Sequence, residues 1–331
     1  MSQLTTEQIT KQSQTAYNQW KDKWRAHAQE HSKYAMKSLS DFENIGIGKA
    51  VLCVANGYSL ELEIETIKKY QHHVDILCCD KSLGHLLKNG IKPTYCIVCD
   101  ASVNYEKYLE PWKDQVSDTV LFANICANPE WASRARWKDL YFFGNMDVLG
   151  SEKEFMGLSG CPNKIPAGTN VSNAMIVFLT QSDNEARRNF FGYDKILCIG
   201  YEYSWREQGN YYAFDYDGGG KRNYMRHIYI RNINNDLVYT SNNLAFSAKW
   251  LEGYIDAFKL PVVQCSRESV LPMKHKGLLA DQMQYSYKTE NSEIVRTMVR
   301  KRSQLIQEKK KIEQALTLLG QQHYYSFLGS V

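Results

Sequence analysis

Short continuous apolar runs alternate along the chain with stretches where apolar residues recur every three or four positions. Ala50–Val54, Val74–Cys79 and Tyr95–Cys99 are continuous rather than alternating, broken only by Asp75 in the second, the pattern of parallel strands covered on both faces. Between the first two lie Leu60, Ile64 and Ile67 at helical spacing, just after the turn Asn56-Gly57-Tyr58-Ser59. This predicts a strand, a tight turn and a helix. Thr119–Ala123, Leu140–Phe143, Lys195–Ile199 and Pro261–Gln264 predict further strands. Val171, Ala174, Met175, Phe178 and Leu179 predict one amphipathic helix, and Leu244, Ala248, Leu251 and Ile255 another. Strands alternating with helices mark the α/β class. The predicted fold is a Rossmann-like, mostly parallel sheet with helices on both faces, plus N- and C-terminal helical extensions.

The ends read differently from the middle. Thr5–Leu39 lacks Gly and Pro and puts Tyr17, Trp20 and Trp24 on one stripe, predicting a long helix docked on the core, with a break at Ser38, Ser40 and Asp41. Glu290–Leu319 predicts a second long helix, with Met298, Leu305, Ile312 and Leu319 seven residues apart, as in a coiled-coil seam or a helix lying on the body. From Trp205 to His227 the chain is rich in Tyr, Gly and charge without any period, as in a lid or binding loop. Asp217–Lys221 lacks the spacing and the preceding strand of a P-loop. The domains expected are a helical extension at 1–45, a nucleotide-binding domain at 46–285 with an insert at 204–236, and a basic helix at 286–331.

Composition narrows the classes. With 331 residues, 44% hydrophobic and 12% aromatic, the chain can bury a large core. A net charge of +4 does not by itself imply nucleic acid, but between Lys288 and Gln314 eight Lys/Arg face four Glu. There is no apolar run of eighteen residues and the N-terminus is polar, so no membrane partner and a cytosolic location are expected. Nine cysteines lie mostly inside apolar runs, where a thiol is a small buried hydrophobe. Cys96 and Cys99 fit C-x-x-C, but odd spacing on a strand points them to opposite faces, against zinc or redox chemistry.

Candidate chemistry collects at strand ends. In a parallel sheet Asp80 and Asp100 lie on the same edge as the Asn56-Gly57-Ser59 turn, where helix-start amides suit phosphate or sugar oxygens. These residue types are also ordinary in turns. Asn124 and Asn128 follow the next strand. Gly168-Thr169-Asn170 opens the helix containing Val171, with Thr169 or Asn170 as its cap. Tyr201-Glu202-Tyr203 follows the strand at Ile199, and Ser241 precedes another helix.

The ordered series Asn56-Gly57-Tyr58-Ser59-Leu60, Cys79-Asp80-Lys81, Leu86–Asp100, Ala167–Val171, Ile199–Tyr203 and Thr240-Ser241 resembles the DUF115, or MptE-like, family over roughly 46–283. That family includes archaeal 6-hydroxymethyl-7,8-dihydropterin pyrophosphokinases, the central domain of the motility accessory factors that glycosylate flagellin, and phage-encoded relatives. The resemblance implies a nucleotide held at the strand ends of a fold similar to that of CMP-sugar-dependent sialyltransferases. The family often has Pro where this chain has Tyr58, and tends to Asp where it has Glu202.

Two reactions fit this resemblance. In the favoured one a nucleotide-sugar passes its sugar to a hydroxyl acceptor, with Asp100 as base, His227 second, and Lys81 with the insert tyrosines stabilising the leaving phosphate. It needs no cofactor. Candidate acceptors are a protein Ser/Thr or a hydroxymethylated base in DNA, the latter placing a phage-encoded protein in its host's cytoplasm. The alternative is pyrophosphoryl transfer from ATP, with Mg²⁺ held by Asp80 and Asp100. A non-catalytic nucleotide-binding protein is the third hypothesis, and a homodimer through the terminal helices is expected as a candidate assembly.

Overall fold

The computed structural model describes residues 6–146, 149–166, 168–181, 189–205, 213, 228–273 and 275–284. The chain divides into two units, Met1–Lys288 and Thr289–Val331. The second unit, with the predicted heptad stripe, lies outside the described residues, as does most of the aromatic insert, His227 included.

Ten strands are described: β1 Ala50–Val54, β2 Asp75–Cys79, β3 Tyr95–Val98, β4 Val120–Asn124, β5 Asp139–Met146, β6 Lys164–Pro166, β7 Lys195–Ile199, β8 Ile228–Arg231, β9 Leu237–Thr240 and β10 Val262–Gln264. Eight form one sheet in the order β10-β7-β1-β2-β3-β4-β5-β6, all neighbours parallel. The Rossmann-like expectation is borne out. The central strands are buried at every position because both faces are covered, and alternation sorts their side chains: Leu52 and Val54 enter one core, Val51 and Cys53 the other. Cys96 and Cys99 likewise fall on opposite sides.

On one face lie helices α2 Ser59–Tyr70 and α3 Asp80–Lys88, with the N-terminal helix α1 Thr6–His31. The short helices α4 Tyr105–Tyr108, α5 Glu130–Ser133 and α6 Glu152–Ser159 follow on this side. The other face holds α7 Val171–Thr180 and α8 Asn242–Phe258. Every residue of α7 from Asn173 to Thr180 is buried, so it is a core element rather than a surface helix. Its Phe178 joins Phe122 at 4.6 Å and Phe191 at 5.6 Å. Each such ring contributes about 1.5–3 kcal/mol by leaving water. The last helix among the described residues, α9 Leu279–Gln284, packs on α2.

Several expected boundaries move. The N-terminal helix ends at His31, not Leu39, because the buried His31 ring is tied through Nδ1 to Ile125 O at 2.8 Å and the chain then turns on Tyr34 N–H to His31 O. Leu39–Phe42 is a separate 3₁₀ turn capped by Ser38. Of the tryptophan stripe, Trp24 packs 5.8 Å from Phe155, whereas Trp20 sits under Lys23 at 5.5 Å. β5 runs through Gly144 because β6 pairs with it there. After the stretch read as aperiodic, which ends at His227, the chain forms an antiparallel pair, β8–β9, that the sequence did not predict.

The N-terminal edge of the sheet is closed by a polar lock. Asp75 Oδ2 accepts from Lys49 Nζ and from the Tyr193 hydroxyl, both at 2.9 Å, with both charged side chains largely buried. The opposite edge carries the glycine turns that follow β1 and β7.

Candidate functional site

The strand order reverses between β1 and β7: from β1 successive strands are added on one side as far as β6, while β7 and β10 are added on the other, all in parallel. In open parallel sheets ligands lie outside the carboxyl ends of the strands at such a reversal. Here Gly57, after β1, and Gly200, after β7, meet back to back. Gly57 N–H donates to Gly200 O at 3.1 Å. Gly200 has φ +78°, and a Cβ there would lie 2.3 Å from Ala55 O, so only glycine fits. The Gly57 amide is therefore committed to its neighbour, contrary to a turn whose amides all await a ligand.

A cleft of about 530 Å³ opens at this point, a size ordinary for a small-molecule site. Four chain segments enter it at helix starts. They are Asn56 and Gly57 before α2, Asp80 and Lys81 on α3, Asn170 to Ser172 on α7, and Ser241 with Asn243 and Leu244 on α8. Asn170 Oδ1 accepts from Asn173 N at 2.9 Å and caps α7. Ser241 Oγ accepts from Leu244 N at 3.3 Å and caps α8. First-turn amides and the helix dipoles give such ends a positive potential.

Two acidic side chains face this potential. Asp80 is buried, its Oδ1 accepting from Lys81 N at 2.7 Å, and burial pushes its carboxyl up to about 6 while Lys81 pulls it back. Asp100 is exposed at the rim, Oδ1 held by Ser102 N–H and Oγ at 2.7 Å each. Among the described lining residues Lys81 is the only cation. Asp80 and Asp100 follow adjacent strands, and two carboxylates beside space for phosphate oxygens suit Mg²⁺, which keeps waters and shares its shell with substrate. Among the described residues no three His, Cys, Asp or Glu converge as a protein-only metal cage.

Of the residues singled out in the sequence, Asn56, Gly57, Asp80, Lys81, Asp100, Gly168, Asn170, Tyr201, Tyr203 and Ser241 line this one cleft. Five do not line it. Ser59 and Glu202 bond each other behind the glycine turn. Asn124 is buried as the last residue of β4 and accepts from Cys126 N at 2.8 Å, which makes it a turn residue. Thr169 accepts from Asn173 Nδ2 at 2.6 Å. Asn128 similarly serves its own loop, accepting from Glu130 N at 3.1 Å. His227 lies outside the described residues.

Tyr201 and Tyr203 form a wall with their hydroxyls already used. Tyr201 donates to Ser172 O at 2.9 Å and Tyr203 to Asn173 Oδ1 at 2.6 Å, which ties β7 to α7. Tyr203 holds φ +55°, an unfavourable conformation for a tyrosine, kept by that bond and by Thr240 Oγ1 donating to its carbonyl at 2.6 Å. Sequence reasoning missed Asn145, Ser172, Ser204 and Asn243, which also line the cleft. Asn145 was legible only as a loop residue after a short strand; Ser172 and Asn243 sit in helix first turns, where such residues are routine.

A family model described as 6-hydroxymethylpterin diphosphokinase MptE-like matches residues 25–204. The chain belongs to the MptE-like family. The family resemblance read from the strand-end motifs is thus borne out, the match beginning inside α1. The fold is shared with the MAf glycosyltransferase from Magnetospirillum magneticum AMB-1, at a TM-score of 0.60 and 14% identity, over 84% of this chain and 41% of that one. The chain thus spans about two fifths of that protein. No curated protein matches the chain. One comparison carries the name of a diphosphokinase and the other that of a glycosyltransferase, and both names are of transferases. Among the described residues no helix is long and apolar enough to cross a membrane.

Proposed function

We propose that the protein is a nucleotide-sugar-dependent glycosyltransferase that moves a sugar to a hydroxyl acceptor. The observation that carries this reading is the convergence of four helix starts on one cleft whose lining is mostly neutral: Asn56, Asn145, Asn170, Asn243, Ser172, Ser204 and Ser241. Neutral amides and hydroxyls match sugar hydroxyls, while the amides of helix first turns suit the phosphates of a nucleotide.

In this reading the phosphates sit against the first turns of α7 and α8, and Lys81 offsets the charge that develops on the leaving nucleotide. Asp100 at the rim takes the proton from an acceptor arriving from solvent, while Asp80 lies deeper. The acceptor is a protein Ser/Thr hydroxyl or, with the basic 288–314 segment as a phosphate contact, a hydroxymethylated base in DNA.

The pairing of Asp80 with Asp100 favours a second reading, pyrophosphoryl transfer from ATP to a hydroxymethyl group, in keeping with the family's name. Mg²⁺ held by the two carboxylates would then neutralise the triphosphate, a charge that one lysine does not balance. The neutral lining is what ranks this reading second.

A thermal-shift panel separates them. A nucleotide that binds only the folded state stabilises it by about 2.7 kcal/mol at a hundredfold excess over its Kd. CMP, UDP or GDP raising Tm without metal supports sugar transfer; ATP acting only with Mg²⁺ supports the kinase; no shift with any of them overturns both. With the productive donor, Asp100→Asn is expected to lower kcat by about 10²-fold, as for loss of a general base.

A further inference from the structure

Behind the glycine turn, outside the residues that line the cleft, the Glu202 carboxyl is completely buried. Its Oε1 accepts from the Ser59 hydroxyl, whose oxygen also takes the Gly200 N–H at 3.0 Å and lies 3.2 Å from Ser266 Oγ. Its Oε2 is buried with no hydrogen-bond partner. A Cβ added to Gly57 would lie 1.7 Å from Oε2 and 2.5 Å from Gly200 O, so this orphan oxygen and this carbonyl both border the same point of the Gly57 turn.

The titratable and charged groups around Glu202 leave it unbalanced. Tyr58 at the start of α2 gives its hydroxyl to Glu268 at 2.8 Å, and Tyr203 gives its own to Asn173. Glu63 of α2 and Arg267 after β10 pair with each other at 2.9 Å. Among the described residues no Lys, Arg or His is bonded to Glu202. A buried carboxylate with neither counter-ion nor full hydrogen bonding is costly, so the neutral acid is favoured.

We propose that Glu202 is a positioning residue for the cleft: its protonated carboxyl bridges Ser59 to Gly200 O and fixes the Gly57 turn, and its ionised form loosens that turn. Gly200 O already accepts from Gly57 N–H, and a carbonyl has a second lone pair for the Oε2 proton. Ionisation releases that one proton to solvent and sets a carboxylate oxygen against a carbonyl oxygen. The repulsion falls on the peptide that holds both glycines together. Burial pushes this carboxyl up to about 7, while the Ser59 and Ser266 hydroxyls and the backbone amides of Glu202 and Ser59 pull it back, so both forms are populated near neutral pH.

Glu202→Gln keeps the neutral shape at every pH, with an amide N–H in place of the acid proton. Amide hydrogen exchange over 55–60 and 199–203, corrected for the intrinsic rate, is expected to lose about tenfold in protection between about pH 6 and pH 8 in the wild type. In Glu202→Gln it stays level. The same pH dependence in both proteins, or none in the wild type, overturns the proposal. Should the variant not fold, NMR of wild-type protein labelled with carboxyl-¹³C glutamate decides: one glutamate titrating near neutrality supports it, and all titrating in the ordinary range overturns it. Affinity for CMP, UDP or GDP should follow the same pH course in the wild type alone. This last arm rests on the transferase reading: if neither protein binds any nucleotide at any pH, that reading fails, and the exchange result still decides Glu202.

Discussion

Replacing Gly57 by alanine tests the back-to-back glycine arrangement directly. The new methyl group would lie 1.7 Å from Glu202 Oε2, 2.5 Å from Gly200 O and 2.9 Å from Gly200 C, all well inside van der Waals contact. The carboxyl can swing aside only by giving up Ser59, which leaves a buried acid unpartnered at about 1–3 kcal/mol. Gly200 O is backbone, and moving it breaks the 3.1 Å bond that joins β1 to β7 at their ends. Overpacking of this kind typically costs a further 1–3 kcal/mol, so Gly57→Ala should destabilise by about 2–6 kcal/mol. Gly253 is the internal control: it is exposed in the middle of α8 with nothing within 4 Å of its Cβ position. There Gly→Ala should stabilise by about 0.5–1 kcal/mol through helix propensity. Urea unfolding of both variants, with unchanged m values, reads the difference. If Gly57→Ala falls within about 0.5 kcal/mol of wild type, the contact between the two turns is not as tight as described.

Two further predictions follow from buried charge. Lys49→Met leaves Asp75 with Tyr193 but without its cation and should cost about 3–5 kcal/mol at neutral pH by urea unfolding; a loss under about 1 kcal/mol would mean the lock at the lower edge of the sheet is unimportant. Burial pushes His31 down to about 4, so between its ordinary 6.5 and about 4 the unfolded chain binds a proton that the folded chain does not. Stability should therefore fall as the pH is lowered from about 6.5 to about 4, by roughly 3 kcal/mol more in the wild type than in His31→Gln, and equal slopes in the two would show that the ring is not kept neutral by the fold.

The strands that form the centre of the sheet were legible because burial on both faces leaves an unbroken apolar run, as in Ala50–Val54 and Lys195–Ile199. Of the two edge strands, β10 was legible as Pro261–Gln264 and β6 was not, nor was the separate pair β8–β9. β6 has three residues including Pro166, and β8 and β9 are half exposed, so neither composition nor period distinguishes them from loop. Polar residues after strands were correctly placed on one edge, but their direction was not readable. Asn170 and Thr169 are adjacent, yet Asn170 caps α7 and lines the cleft while Thr169 bonds Asn173.

By itself the sequence determined the class of fold, the edge on which polar strand ends collect, and the family, because hydrophobic period and the order of short motifs are properties of the linear chain. Which strand lies beside β1 is not such a property. Only the tertiary structure put β7 there, brought Gly200 against Gly57, and turned Glu202 from a strand-end acid into a buried group with an unpartnered oxygen. A carboxyl's role depends on what removes it from water and what faces it, and the Ser59 hydroxyl that faces this one lies more than a hundred residues away along the chain.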